Sequence, residues 1–410
     1  MEAKKESVEM RDRNILANIY VIAVTWGLLF PLFTMETQYE QIYMVALGAT
    51  PSIIGFIYGV SIITLALARL IGGYLADEFG RKKIIYLFTY LVGLFYLIPA
   101  FIPDWRVLAV SLVLINASFL FQPAVSAIMA DSTSPKTRGK YYSIMNTASL
   151  LTTIPSPLLA LWIIETYGLI KGMQLVYLFL AIGLMTAGFI RQVFMIETHL
   201  KSEDSDFVNV SSIVSSYFGT LGFIKKKLRW PLIARIAMFI SGFAVLNFTG
   251  IYISEVLGFG RDYWGRIFFF ANIITVAVII GLGNLADRVD RRIPIVVTLF
   301  TYSPLVYALS VVQDFPRDYV FPMFVLSVAS ILIVNNATFS ILFALEADLI
   351  PKPIRGKTQA LLALISSSIS AIAQIVFGKI FETNPTLLFR IASILALLTA
   401  VYLVTRRKFY

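Results

Sequence analysis

The chain has 410 residues, of which 58% are hydrophobic and only 14% charged, with a formal net charge of +10. A soluble domain carries about 25% charged residues, so this composition belongs in a bilayer. There is no cysteine, which excludes disulfides, thiolate metal sites, Fe–S clusters and a cysteine nucleophile; the single histidine, His199, lies in a polar stretch and reads as a surface residue.

Apolar runs of about 20 residues predict twelve spans, at 14–34, 51–76, 84–103, 106–130, 141–165, 169–190, 230–255, 263–286, 293–313, 319–346, 357–381 and 386–405. Residues 1–13 are polar and lack the apolar core of a secretory signal, so the first span is expected to be retained. Met35 to Thr50 carries Glu36 and Glu40 but no Lys or Arg, and reads as a loop on the outer side. The one sizeable loop between spans, about 191–229, opens polar at Ser202 to Asp206 and ends in Lys225-Lys226-Lys227. Between these ends, Val208 to Phe223 reads as a short amphipathic helix on the membrane surface. The expected organisation is a six-span bundle over 1–190, a linker over 191–229 and a second six-span bundle over 230–410.

Of the 34 Lys and Arg, 25 lie in the termini and in the loops after even-numbered spans. Among them are Arg81, Arg138, Arg191, Arg291 and Arg355, whereas the opposite loops hold only Arg106, Lys171, Arg261, Arg266 and Arg317. This asymmetry predicts both termini in the cytoplasm, in the cytoplasmic (plasma) membrane. It assigns the basic balance to topology and anionic membrane lipid, and argues against nucleic acid as a partner.

Two stretches 210 residues apart spell nearly the same string. The first is Gly73-Tyr-Leu-Ala-Asp77-Glu-Phe-Gly80-Arg81-Lys82, and the second Gly283-Asn-Leu-Ala-Asp287-Arg-Val-Asp290-Arg291-Arg292. A second duplicated pair follows spans 4 and 10: Asp131 with Arg138-Gly-Lys140, and Asp348 with Arg355-Gly-Lys357. An internal repeat in an apolar chain is the mark of a transporter built from two similar halves. Gly73 and Gly283 fall in the last turns of their spans, where a small residue lets helices approach closely. Asp77 and Asp287 stand at helix ends, where an Arg or a helix N-terminus favours a carboxylate.

These strings, with twelve spans and a long central loop, resemble the major facilitator superfamily over essentially the whole chain. The first matches that family's motif A at Gly73, Leu75, Asp77, Gly80, Arg81 and Lys82; the second departs at Asp290, where a Gly is usual. The resemblance implies an all-α membrane protein of two six-helix bundles that alternate about a central site. It also implies a cytoplasmic gate, in which Asp77 faces the start of span 11 near Lys357 and Asp287 the start of span 5 near Lys140. Arg81, Arg291, Asp131, Arg138, Asp348 and Arg355 are expected beside that gate, and the two acid–base pairs also read as loop ion pairs.

Polar side chains buried in lipid should face a cavity or a partner helix. Amides occur at depth at Asn116, Gln122, Asn247, Asn272, Asn335, Asn336 and Gln374, whereas spans 3, 6, 9 and 12 have none at depth, Gln174 and Gln313 lying at interfacial ends. In the resembled fold spans 1, 4, 7 and 10 line the cavity, with 2, 5, 8 and 11 beside them. Trp26, Asn116, Gln122, Asn247, Asn336 and Gln374 are therefore the expected substrate-binding residues. Arg69 is an intramembrane base with two readings, substrate binding or pairing with an inner-side acid; Lys379 and Glu382 read as a local pair. With no strong central charge elsewhere, the expected substrate is a small apolar, amphipathic or neutral polar molecule.

A coupling proton or cation would fall to Glu36, Glu40, Asp131, Glu346 or Asp348, all towards span ends. Efflux of apolar or amphipathic compounds leads. Uptake of a neutral nutrient such as a sugar or nucleoside, and a non-transporting membrane sensor on the same scaffold, are the alternatives. No enzyme activity, cofactor or metal is expected, and the protein is expected to be a monomer.

Overall fold

The computed structural model describes residues 2–133, 141, 145, 149–198, 220–286, 288–351 and 354–405. Among them there is no strand, and twelve helices are long and apolar enough to cross a membrane. They are α1 (Ala17–Ala46), α2 (Pro51–Phe79), α3 (Arg81–Phe101), α4 (Trp105–Asp131), α5 (Ser149–Tyr167), α6 (Leu169–Phe194), α7 (Arg229–Val256), α8 (Arg261–Leu282), α9 (Arg292–Leu309), α10 (Arg317–Glu346), α11 (Lys357–Thr383) and α12 (Pro385–Thr405). The fold class is that expected, an all-α protein of twelve transmembrane helices.

The largest correction concerns α1. It does not stop at residue 34 but continues to Ala46, so the predicted outer loop shrinks to a few residues. No Gly or Pro interrupts Met35 to Ala46, and Met35, Tyr39, Ile42 and Tyr43 recur on one buried side. Glu36 and Glu40 are consequently buried.

The chain divides into two compact units, Met1–Tyr43 with Thr64–Asp206, and Met44–Ile63 with Phe207–Tyr410. In the first, α3 and α6 pack through small residues. A methyl on Gly188 would stand 2.8 Å from the Tyr90 ring, and one on Gly93 would stand 3.1 Å from Leu184. Arg191, expected in a loop, lies inside α6 and is 2% exposed. It donates to Thr25 Oγ1 at 3.3 Å and Thr89 Oγ1 at 2.7 Å, tying α6 to α1 and α3.

In the second unit α9 and α12 are joined by serines instead. Ser303 Oγ donates to the Ser393 carbonyl at 3.0 Å, and Ser393 Oγ to the Ser303 carbonyl at 2.8 Å. Such exchanged bonds satisfy polar groups that lipid would leave unpaired. Ahead of α7, a short helix Leu221–Lys227 buries Ile224 against Leu228, Ile350, Leu361 and Leu362, and exposes Lys225, Lys226 and Lys227. Most of the predicted amphipathic segment, 208–219, lies outside the described residues.

The N-terminal part of α2 belongs to the second unit and lies on α11. A Cβ on Gly55 would meet the Gln374 carbonyl at 2.4 Å, and one on Gly378 the Pro51 carbonyl at 2.6 Å. Glu382 Oε2 accepts the Ser52 amide at 3.2 Å, so it caps the start of α2, where sequence spacing had paired it with Lys379.

Candidate functional site

The two duplicated strings meet each other within each unit. Arg81 follows α2 by a single residue and reaches Asp131 at the end of α4, while its Nη2 also lies 3.3 Å from Asp77 one turn back. In the second unit Arg291 reaches Asp348 in the same way. Both acids therefore meet the motif arginines, and Asp348 pairs with Arg291 where loop spacing suggested Arg355. Arg138 and Asp287 lie outside the described residues, as do the surroundings of Gly283. Arg355 Nη2 donates to the Ile350 carbonyl at 3.4 Å, closing the turn between α10 and α11.

Between α2 and α3 the chain turns on Gly80 alone, at φ 93°, a conformation that costs a side chain about 1–2 kcal/mol. The freed Lys82 amide donates to Glu197 Oε2 at 2.9 Å. The second copy has Asp290 where the first has Gly80, and no described non-glycine residue has positive φ. Asp290 Oδ1 accepts the Arg292 amide at 2.9 Å, and Arg292 Nε lies 2.8 Å from Asp290 Oδ2. Those bonds to Arg292 hold the Asp290 carboxyl below the usual carboxylate range.

The close-approach glycine of α2 is Gly72, not the motif's Gly73. A Cβ on Gly72 would stand 1.7 Å from the Leu120 carbonyl of α4, whereas one on Gly73 would meet only Pro123 at 4.0 Å.

Deeper in the first unit, Arg69 Nε donates to Gln122 Oε1 at 2.8 Å, joining α2 to α4. Arg69 is exposed and has no carboxylate partner among the described residues. A guanidinium facing hydrocarbon is expensive, so an exposed one at this position belongs on an aqueous path. Trp26 and Asn116 are half-buried in the same unit. Trp26 meets Phe30 edge to face at 5.7 Å, and Asn116 Nδ2 donates to Leu112 of its own helix at 2.8 Å.

In the second unit α7 and α10 both depart from regular helix. Their π-helical turns are Phe239–Ala244 and Tyr252–Val256 in α7 and Val334–Thr338 in α10. Such turns recur at functional positions because they redirect side chains and free backbone groups. Two of them face each other: a Cβ on Gly242 would stand 1.9 Å from Asn335 Oδ1, and the Phe239 and Phe339 rings lie 5.5 Å apart. Asn336 is exposed and donates to Leu332 at 2.8 Å; Asn247 is half-buried; Gln374 is fully buried, with neither side-chain atom hydrogen-bonded.

Sequence reasoning missed an ion pair. Arg235 of α7 and Glu346 of α10 are 2% and 0% exposed. Arg235 Nε donates to Glu346 Oε1 at 2.9 Å, Nη2 bonds Oε2, and Nη2 also reaches Gln359 Oε1 of α11 at 3.2 Å. The guanidinium lies 5.2 Å over the Phe339 ring. The available signal was a single charge inside an apolar run, Ile233-Ala-Arg235-Ile-Ala. Glu36 and Glu40, expected as outer-loop acids and as candidate coupling-ion carriers, are instead buried within α1, 2% and 4% exposed.

Comparison with known proteins agrees with this architecture. One similar protein is a nucleoside transporter of known structure, with a TM-score of 0.74 and 13% identity over 95% of this chain and 100% of that one. Another is a D-xylose-proton symporter, at 0.68 and 13% over 96% and 97%. Among curated proteins of Bacillus subtilis (strain 168), Multidrug resistance protein 2 is 23% identical over 310 residues, 73% of each chain. The uncharacterized MFS-type transporter YqjV is 29% identical over 133 residues, about a third (32%) of each chain. The sequence profile of the Major Facilitator Superfamily matches residues 15–374, and with the duplicated motif bonds and twelve spans in place, the chain belongs to that superfamily.

Proposed function

We propose that the protein exports amphipathic organic compounds across the cytoplasmic membrane by alternating access, with both termini on the cytoplasmic side. The observation that carries this reading is the Arg69–Gln122 pair. Arg69 spends Nε on Gln122, and its two Nη groups have no partner among the described residues. A guanidinium fork of this kind suits a carboxylate or another acceptor-rich head group, while neighbouring apolar helix surface suits the rest of an amphipathic molecule. The similarity to a multidrug resistance protein over 73% of the chain supports export. Trp26, Asn116 and Gln122 on one unit, and Asn247, Asn336 and Gln374 on the other, are the proposed substrate contacts. Asp77, Arg81, Asp131, Arg291 and Asp348 are the proposed gate, and a proton is the proposed coupling ion.

The test is transport of a panel of anionic, neutral and cationic fluorescent amphiphiles into inside-out vesicles. Arg69→Ala is expected to weaken apparent affinity for anionic members about tenfold or more, the worth of a hydrogen bond to a charged group, and to spare neutral ones. Asp77→Asn is expected to slow all of them alike. A second reading, uptake of a neutral polar nutrient, is favoured by the amides of Asn335 and Gln374, which are buried without a hydrogen-bond partner among the described residues. Vesicles that ignore every amphiphile but accumulate a labelled nucleoside or sugar would overturn the first reading in favour of the second.

A further inference from the structure

Because α1 runs to Ala46, Glu36 and Glu40 stand one helical turn apart on its buried side. Among the described residues no Lys, Arg or His forms an ion pair with either. Spaced i,i+4 on one helix, the two side chains are neighbours. Carboxylates carry no donor, so the two can share a hydrogen bond only when the pair holds a proton.

The surroundings are phenolic. Tyr43 is on α1, Tyr96 on α3 and Tyr177 on α6; they are 0%, 3% and 0% exposed. The Tyr43 and Tyr177 rings lie 5.8 Å apart, and those of Tyr96 and Tyr177 lie 6.1 Å apart. Tyr43 follows Glu40 by three residues on α1, so its contact with Tyr177 sets this aromatic cluster beside the two acids. The hydroxyls of Tyr43 and Tyr177 are buried and have no hydrogen-bond partner. Two acids and three phenols thus occupy one buried site, with no base paired to either acid among the described residues. Two negative charges there would be uncompensated, and burying one such charge already costs several kcal/mol. A proton neutralises the pair, and the idle phenols can donate to whichever oxygen stays ionised.

We propose that Glu36 and Glu40 form a proton-binding site inside the first unit, and that its loading and release couple proton movement to transport. The coupling half of this statement rests on the transporter reading above; the binding half does not.

Two measurements separate them. The first is a pH titration of carboxyl infrared bands on the purified full-length protein, with no substrate. The parent is expected to show a buried protonated-carboxyl band that disappears on alkalinisation. Glu36→Gln with Glu40→Gln should abolish it. Tyr177→Phe keeps both acids and the ring packing, and should move the band's titration midpoint. A parent without the band, a double variant that retains it, or a band removed by sodium at constant pH would overturn the site. The second is pH-gradient-driven movement of a fluorescent amphiphile in proteoliposomes. Each single Gln variant should lose about tenfold or more of gradient-driven transport while retaining gradient-free exchange of the same compound. Undiminished gradient-driven transport in variants that have lost the band would overturn the coupling. If the parent moves no amphiphile, the export reading fails and the titration still decides the proton site.

Discussion

Replacing Arg235 by Met should destabilise the protein far more than replacing Arg235 and Glu346 together. The pair is 2% and 0% exposed, so neither charge can be rescued by solvent. Removing one partner of a buried pair leaves the other uncompensated and costs about 3–5 kcal/mol. Here Arg235→Met would strand Glu346 without its guanidinium partner, and the 5.2 Å contact with Phe339 would become an ordinary apolar one. Glu346→Leu would strand Arg235 in the same way. The double variant Arg235→Met/Glu346→Leu removes both charges and keeps most of the volume, so its cost should fall within about 1–2 kcal/mol of the parent. The implied coupling is several kcal/mol; about 3 kcal/mol corresponds to a roughly 150-fold change in the folded-to-unfolded ratio. Detergent-induced unfolding, followed by tryptophan fluorescence on the four proteins, measures it. Single variants within about 1 kcal/mol of the parent, or a double variant as unstable as the sum of the singles, would refute the reasoning.

Gly72→Ala should sharply reduce the folded yield, because its Cβ would stand 1.7 Å from a backbone carbonyl, while Gly73→Ala should leave yield near the parent; size-exclusion profiles of the two decide it, and equal yields would refute the α2–α4 contact. In this cysteine-free chain, Lys171→Cys and Lys226→Cys should react with an impermeant thiol reagent from opposite faces of the membrane; reaction from one face would refute the topology. Because Arg292 holds the Asp290 carboxyl below its ordinary range, its stabilisation is present above the unfolded value and lost as pH falls through the folded one. Asp290→Asn should therefore narrow the stability difference between neutral and acidic pH, read as thermal unfolding temperature, and an unchanged difference would refute the interaction.

Features set by local chemistry could be read from the chain. Length and polarity mark the twelve spans, and the Gly-x-Leu-Ala-Asp strings mark the ends of α2 and α8 because a turn, a basic pair and a carboxylate must all be encoded within ten residues. What escaped was set by partners distant in sequence. Glu36 and Glu40 look like loop residues to any scale that sums hydropathy. They are buried on α1 beside Tyr43, whose ring meets Tyr177 of α6, more than 100 residues away in sequence. Arg191 counts as a topological base by its position, yet its hydrogen bonds go to Thr25 and Thr89. Gly72 and Gly73 are chemically identical, and only the path of α4 decides which one is pressed against a carbonyl. The π-helical turns of α7 and α10 leave no mark in the local sequence, and one turn of each meets the other where Gly242 packs against Asn335.

The departure at Asp290 shows what the duplicated motif requires. If the turn itself were the requirement, losing the glycine should have cost the second half its geometry. Instead the two halves satisfy one backbone amide by different means. In the first, Gly80 adopts φ 93° and the Lys82 amide is met by Glu197 from beyond α6. A side chain at position 80 would stand 3.0 Å from that carboxylate, so the glycine and the distant acid belong together. In the second, Asp290 supplies the carboxylate itself, two residues before the Arg292 amide it accepts. With the acid built into the turn, neither a glycine nor a distant partner is needed. What both halves keep is the bond that follows: Arg81 to Asp131 and Arg291 to Asp348, each fixing the end of one helix to the end of another two spans later. The turn is therefore exchangeable, whereas the pairing of motif arginine and helix-end carboxylate recurs. That pairing, rather than the glycine, is where substitution should be felt in both halves.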